Sequence, residues 1–225
     1  MRRFCLAVLL ALSAVFYAEA QSDARSMTPE QNYYRGRQIE ASDGVAAAAP
    51  YYNEAIRVCL ADISRNAATG NTYVFLTRSL RRMGRHSEAV DYGQRGMRAF
   101  PREYRILEAM GQSFFFLGNY EQSLAHMERY SNLLPGDDSI ALAYFFMGEI
   151  FRNAGNFHRA DIAYTTAMYY QPEMPLWWFR LGSVRERTGD RGPAMEAYRR
   201  ALALSPAYTA ARTALTALET GTGAN

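Results

Sequence analysis

Apolar residues recur three and four positions apart in short runs, the spacing that lines one face of an α-helix. Tyr73, Leu76 and Leu80 form one such stripe, Leu107, Met110 and Phe114 a second, and Tyr144, Met147 and Phe151 a third. The runs are punctuated at a fixed period. Glycines fall between two helical patterns at Gly84, Gly118, Gly155 and Gly189, spaced 34, 37 and 34. Prolines at Pro101, Pro135, Pro172 and Pro206 repeat the same spacings, including the same three-residue insertion. Two independent marks on one period indicate an internal repeat of helix pairs. Glycine after the first helix supplies a left-handed backbone, and proline closes the run of the second.

The residues between the marks carry a resemblance. Trp178, Leu181 and Gly182, then Ala194, Tyr198, Ala201 and Pro206, match the W-x2-L-G, A-x3-F and P positions of the tetratricopeptide repeat. The preceding unit fits through Tyr144, Met147, Gly148, Phe151, Ala160, Tyr164, Ala167 and Pro172. The one before carries Leu107, Met110, Gly111, Phe114, Ser123, Met127 and Pro135, but Tyr130 where a small residue is usual. The first clear unit keeps Tyr73, Leu76, Leu80, Ala89 and Pro101, and departs at Thr77 and Gly93. Small residues at Gly111, Gly148, Gly182, Ser123, Ala160 and Ala194 let the two helices of a pair approach closely. The chain thus resembles the tetratricopeptide family, which implies an all-α, right-handed α-solenoid of stacked antiparallel helix pairs. Four repeats are expected at 70–103, 104–137, 141–174 and 175–208.

Upstream, Thr28, Pro29 and Gln31 form a helix start with a capping box. The pattern predicts one helix to about Ser42, a break at Asp43-Gly44, and a second helix from Pro50 to about Ile63. Residues 28–69 read as a degenerate N-terminal helix pair, with Ala55 and Cys59 at its inner positions. Residues 209–225 read as a capping helix followed by a flexible tail, and 21–27 as a disordered lead. The insertion from Gly136 through Asp137, Asp138 and Ser139 to Ile140 reads as a helix-capping loop, since no further oxygen ligands follow at calcium-loop spacing.

Residues 1–20 change the picture of where the protein works. Arg2 and Arg3 precede an uncharged apolar stretch from Phe4 to Tyr17, and Ala18-Glu19-Ala20 is an A-x-A cleavage signature. The stretch is shorter than the roughly 20 apolar residues of a membrane-spanning helix. It predicts a signal peptide cleaved after Ala20, and export, most simply to a bacterial periplasm. Cleavage removes Cys5 and leaves Cys59, which reads as a small buried apolar group.

In this resemblance the first helix of each pair lines a concave groove. The residues so placed are Asn71, Val74, Arg78 and Arg81; Arg105, Glu108, Gln112 and Phe115; Leu142, Phe145, Glu149 and Arg152; and Leu176, Phe179, Ser183 and Glu186. Phe145 and Phe179, one repeat apart, are expected to be neighbours in an apolar strip with Phe115, Leu142 and Leu176. The arginines offer forks for carboxylates. Such a surface suits an extended or helical peptide with apolar anchors and an acidic portion. The lysine and asparagine clamp of chaperone-binding members is absent from the equivalent positions Val74, Arg78, Ala109, Leu142 and Phe146.

Composition narrows the chemistry. All 25 basic residues are arginine, so no lysine is available for Schiff-base or general-base work. His86, His126 and His158 show no metal-ligand spacing, and no nucleophile elbow, phosphate loop or dinucleotide fingerprint occurs. A non-catalytic protein without cofactor or metal is expected. Residues 70–105 carry eight arginines against three acids, 106–175 three against eight, and 176–225 seven against four. The acidic middle interrupts the continuous basic stripe that nucleic acid would need. The reading is an exported adaptor or scaffold for a protein or peptide partner, an envelope component, with peripheral association to a membrane complex open to it. Two alternatives stand beside it: a structural component that self-associates through its charge blocks, and a carrier of a lipid or small hydrophobic ligand.

Overall fold

The computed structural model describes residues 19–136 and 139–221. Most of the signal-like segment, Asp137 and Asp138, and the last four residues lie outside the described residues. A helical stretch at 19–25 leads into eleven helices. They are α1 Pro29–Asp43, α2 Val45–Ser64, α3 Gly70–Arg82, α4 His86–Ala99, α5 Ile106–Phe116, α6 Tyr120–Leu133, α7 Ile140–Asn153, α8 Phe157–Tyr170, α9 Pro175–Arg187, α10 Arg191–Leu204 and α11 Thr209–Thr220. The fold is all-α, made of stacked antiparallel pairs, as the punctuation implied. The chain divides into two compact units at Leu117/Gly118, inside the expected repeat 104–137. In the first unit α1 packs on α2, α3 on α4, and α1, α3 and α5 lie successively side by side. In the second, α7 packs on α8, α9 on α10, and α11 closes on α10.

One contact recurs at the centre of three pairs. A Cβ placed on Gly36, Gly148 or Gly182 would lie 2.7, 2.6 or 2.6 Å from the ring of Tyr52, Tyr164 or Tyr198, always 16 residues on. Each tyrosine is almost wholly buried, and its ring lies against the bare glycine backbone. A buried phenol needs a hydrogen-bond acceptor. The Tyr52 hydroxyl donates to Glu40 at 2.6 Å and the Tyr198 hydroxyl to Glu186 at 2.7 Å, each acid four residues after its glycine. In α7 that place holds Arg152, and the Tyr164 hydroxyl donates instead to Glu149. Burial, reinforced by the neighbouring carboxylate, raises the pKa of all three phenols above the usual value.

The 70–103 pair solves the same problem differently. Thr77 replaces the glycine and is fully buried, its hydroxyl donating to the carbonyls of Tyr73 and Val74 at 2.8 and 2.9 Å. The large residue moves away in compensation: Gly93 stands where the tyrosine would be, and Met110 from α5 fills the space against it. The turn glycines Gly84, Gly118, Gly155 and Gly189 serve another purpose. Their φ values of 72 to 84° are left-handed, and no atom lies within 4 Å of a built Cβ, so backbone conformation alone selects glycine there.

Two local expectations are corrected. Pro50 does not begin the second helix; α2 starts at Val45 and Pro50 lies inside it. The alanine run 46–49 is strongly helix-forming, and Ala48 is fully buried beside Tyr52, which outweighs the one N–H that proline lacks. The segment 21–27 is not a disordered lead. Ala24 is fully buried, Asn32 Nδ2 donates to the carbonyls of Ala24 and Met27 at 2.9 and 3.2 Å, and Tyr51 donates to Asp23 at 2.9 Å.

Gly148→Leu drives a side chain into the Tyr164 ring. The variant is expected to lose about 1–3 kcal/mol of stability, read as a lowered melting temperature; an unchanged melt refutes the contact. Cys59 is fully buried, and burial, with Asp62 nearby, pushes its thiol up to about 12. In a Cys5→Ser background, Cys59 in the native chain is expected to react with a disulfide reagent at least about 100-fold more slowly than in denaturant, because the thiolate is the nucleophile.

Candidate functional site

The sixteen residues assigned to the first helices divide by burial. Val74, Arg78, Arg81, Glu108, Gln112, Phe145 and Glu149 are buried; Asn71 and Leu176 are exposed; the remainder are half-buried. Each unit holds its own constellation.

In the first unit α3 and α5 bring four buried polar residues together. Arg78 Nε lies 3.5 Å from Glu108 Oε2, and Arg81 Nη2 lies 3.8 Å from Glu108 Oε1. Gln112, one turn on from Glu108, donates to the same carboxylate through Nε2. The Arg78 guanidinium also sits over the Tyr33 ring of α1, 5.9 Å from its centroid. At the start of the same helices, Arg105 forks onto Glu103 at 2.7 Å and donates to Asn71 Oδ1 at 2.6 Å. Val74 is core, clustered with Ile106, Met110 and Phe114. Phe115 meets Phe116 edge-on at 5.6 Å.

In the second unit Glu149 is the hub. It pairs with Arg152 at 2.9 Å and Arg180 at 3.0 Å, and accepts the Tyr164 hydroxyl. The expected pairing of phenylalanines along a strip does not describe this unit. Phe145 is 8% exposed and stacks on Trp177, centroids 5.0 Å apart and planes 15° off parallel. Phe179 packs on Tyr198 and Tyr208 at 5.7 and 5.2 Å. Phe145 is therefore a core residue. The reason is local: Trp177, next to the family-type Trp178, turns inward and offers a larger flat partner than Phe179. Leu142 and Leu176 keep apolar surface open, and Ser183 and Glu186 follow on α9, Glu186 holding the Tyr198 hydroxyl.

Sequence reasoning missed Trp177 and Arg180. Both lie in the run Trp177-Trp178-Phe179-Arg180, where the family position of Trp178 drew attention from its neighbours. Among the described residues, two of the histidines are held by their neighbours. His86 stacks on Phe116 at 4.8 Å, and burial with Arg81 nearby lowers its pKa. His126 Nδ1 meets the Gln122 carbonyl at 2.7 Å, and burial again lowers its pKa. Among the described residues no three His, Cys, Asp or Glu side chains converge as metal ligands. The depression around His158 and Ile162 is lined by groups that satisfy one another: Arg185 to Asp161 at 2.6 Å and Thr188 to Asp190 at 2.6 Å.

Glu149→Gln is expected to cost about 1.5–3 kcal/mol, since it weakens the charged hydrogen bonds from Arg152 and a buried phenol and removes the ion pair with Arg180. Urea denaturation measures it, and an unchanged midpoint would show the hub to be dispensable.

Comparisons with known proteins agree with this architecture. The tetratricopeptide repeat model matches residues 141–174 and 178–208. The general transcriptional corepressor ssn6 of Schizosaccharomyces pombe is 26% identical over 132 residues, which cover 56% of this chain and 12% of that protein. The crystal structure of MamA superposes with a TM-score of 0.58 at 20% identity, covering 66% of this chain and 85% of that one. YrrB, described as a tetratricopeptide protein with an unusual peptide-binding site, superposes with a TM-score of 0.56 at 17% identity over 82% of this chain and 90% of its own. These likenesses establish the fold. The chain carries tetratricopeptide repeats and has the all-α architecture of tetratricopeptide solenoid proteins.

Proposed function

We propose that this chain is an exported, non-catalytic scaffold that captures a protein or peptide partner on the first helices of its repeats and serves the assembly of a bacterial cell-envelope complex. The observation that carries the binding reading is the row of first helices in each unit. Their side chains meet directly, α3 with α5 through Glu108 and α7 with α9 through the Phe145–Trp177 stack, and these buried contacts hold the first helices of a unit side by side. On the accessible side of the second unit's first helices stand exposed Leu176 and half-buried Leu142, with half-buried Arg152 and Arg180. Repeat folds bind through such surfaces, and YrrB is a tetratricopeptide protein described by its peptide-binding site. Export rests on the sequence of residues 1–20. Cleavage after Ala20 leaves Asp23 and Ala24, which pack against Tyr51 and Asn32, in the mature chain.

Crosslinked affinity capture from envelope extract tests the reading, with wild type beside the Leu142→Asp/Leu176→Asp variant. These positions are chosen because they leave the Phe145 core contact intact. A partner recovered by wild type and lost by the variant, with circular dichroism unchanged, is the expected result. Identical recoveries overturn this face as the binding site. Salt-sensitive recovery of the bait alone would transfer the function to self-assembly. N-terminal sequencing of the protein from its host is expected to begin at Gln21, and an intact Met1 overturns cleavage.

A further inference from the structure

The stretch ahead of α1 is anchored by both helices of the first pair. Ala24 is fully buried. Asn32 of α1 donates through Nδ2 to the carbonyls of Ala24 and Met27 at 2.9 and 3.2 Å. The Tyr51 hydroxyl of α2 donates to Asp23 at 2.9 Å. Gln21 and Ser22, immediately before these anchors, are exposed. Cleavage after Ala20 therefore leaves a chain whose first residue is a glutamine, held at the surface just ahead of a docked segment.

We propose that Gln21 is a modification site: once its α-amine is freed, it closes on its own side chain to form pyroglutamate. The inference rests on the cleavage reading above and states what becomes of the new terminus. The neutral α-amine nitrogen attacks Cδ of the side-chain amide, and the N–Cδ bond completes a five-membered lactam. The Cδ–Nε2 bond breaks; Nε2 takes the proton that the amine gives up and leaves as ammonia. No oxidant, cofactor or second substrate enters. An α-amine has a pKa of about 7.7–8.0, so a sizeable fraction is in the attacking form near neutral pH. Both reacting groups belong to one residue, which makes the step unimolecular. Nitrogen and Cδ meet by rotation about Cα–Cβ and Cβ–Cγ, a turn that an exposed side chain is free to make.

The product differs from a free terminus in charge and in what can grip it. Like other terminal caps, the lactam carries no positive charge. The Asp23 carboxylate then keeps Tyr51 as its donor with no ammonium two residues away to compete for it. The ring also removes the α-amine by which aminopeptidases hold a chain end. Trimming from that end would reach Asp23 and Ala24, the residues that dock the segment, so closing the ring protects a packed part of the fold.

Mass spectrometry of the full protein from its host tests this. The protein is extracted into acid, which keeps any free amine protonated and halts cyclisation. Free amines are then capped by reductive methylation, and trypsin cuts after arginine. The expected terminal fragment runs from Gln21 to Arg25, uncapped and lighter than the plain peptide by one ammonia, about 17 Da. Gln21→Asn keeps the amide at an exposed position but would need a four-membered ring, and its fragment is expected at full mass with the methyl cap. A capped, full-mass Gln21–Arg25 fragment from wild type overturns the modification and leaves the cleavage standing. The same loss of ammonia from Gln21→Asn overturns ring closure by Gln21. A fragment running from Phe4 to Arg25 shows an uncut leader, and overturns the cleavage and the modification together.

Discussion

The structure depends on a glycine backbone lying against a tyrosine ring. Gly36 with Tyr52, Gly148 with Tyr164 and Gly182 with Tyr198 set the separation of the two helices in three pairs, because no side chain fits between. Ring burial supplies apolar stabilisation, and the phenol, carried to the far side of the contact, must find an acceptor. Glu40, Glu149 and Glu186 meet that need. Close approach, burial and a satisfied hydroxyl are thus one device. Where the glycine is lost, at Thr77, the bulky partner is lost as well, and Met110 refills the volume. The bulk is supplied from another helix instead, the kind of redistribution that well-packed interiors tolerate.

That device has a consequence for binding. Fixing each pair places the first helices of one unit side by side, and their polar residues must then satisfy one another in partial burial. In the second unit the outcome is a network around Glu149, which forms ion pairs with two arginines and accepts a phenol. In the first unit two arginines share Glu108 at longer range, with Gln112 bonded to the same acid. A buried charge needs a counter-charge, and each unit supplies it from an acid on a first helix, Glu108 or Glu149. The groups left open on the second, Leu142 and Leu176, are apolar.

Much of this was legible from residue order. The glycine and proline period located the turns, and every turn glycine has the left-handed φ that its position requires. The capping box at Thr28 and Gln31 is formed. The Gly36–Tyr52 contact was also within reach, since its 16-residue spacing repeats that of Gly148–Tyr164 and Gly182–Tyr198, but the absence of a closing proline hid it. Pro50 misled for the opposite reason: a strong local signal was overridden by the alanine run and the burial of Ala48.

What the sequence determined by itself was the helix-pair architecture, because period, turn chemistry and small-residue placement act locally and repeat. Only the tertiary structure decided which groove residues are surface and which are core. Phe145 and Leu176 are both apolar residues assigned to first helices, yet one stacks on Trp177 inside the unit and the other remains open. The same holds for Arg81 against Arg105, equal in charge and unequal in partners. Such differences arise between helices distant in sequence, from the volume a neighbour fills and the acid it supplies. A one-dimensional period carries no information about either.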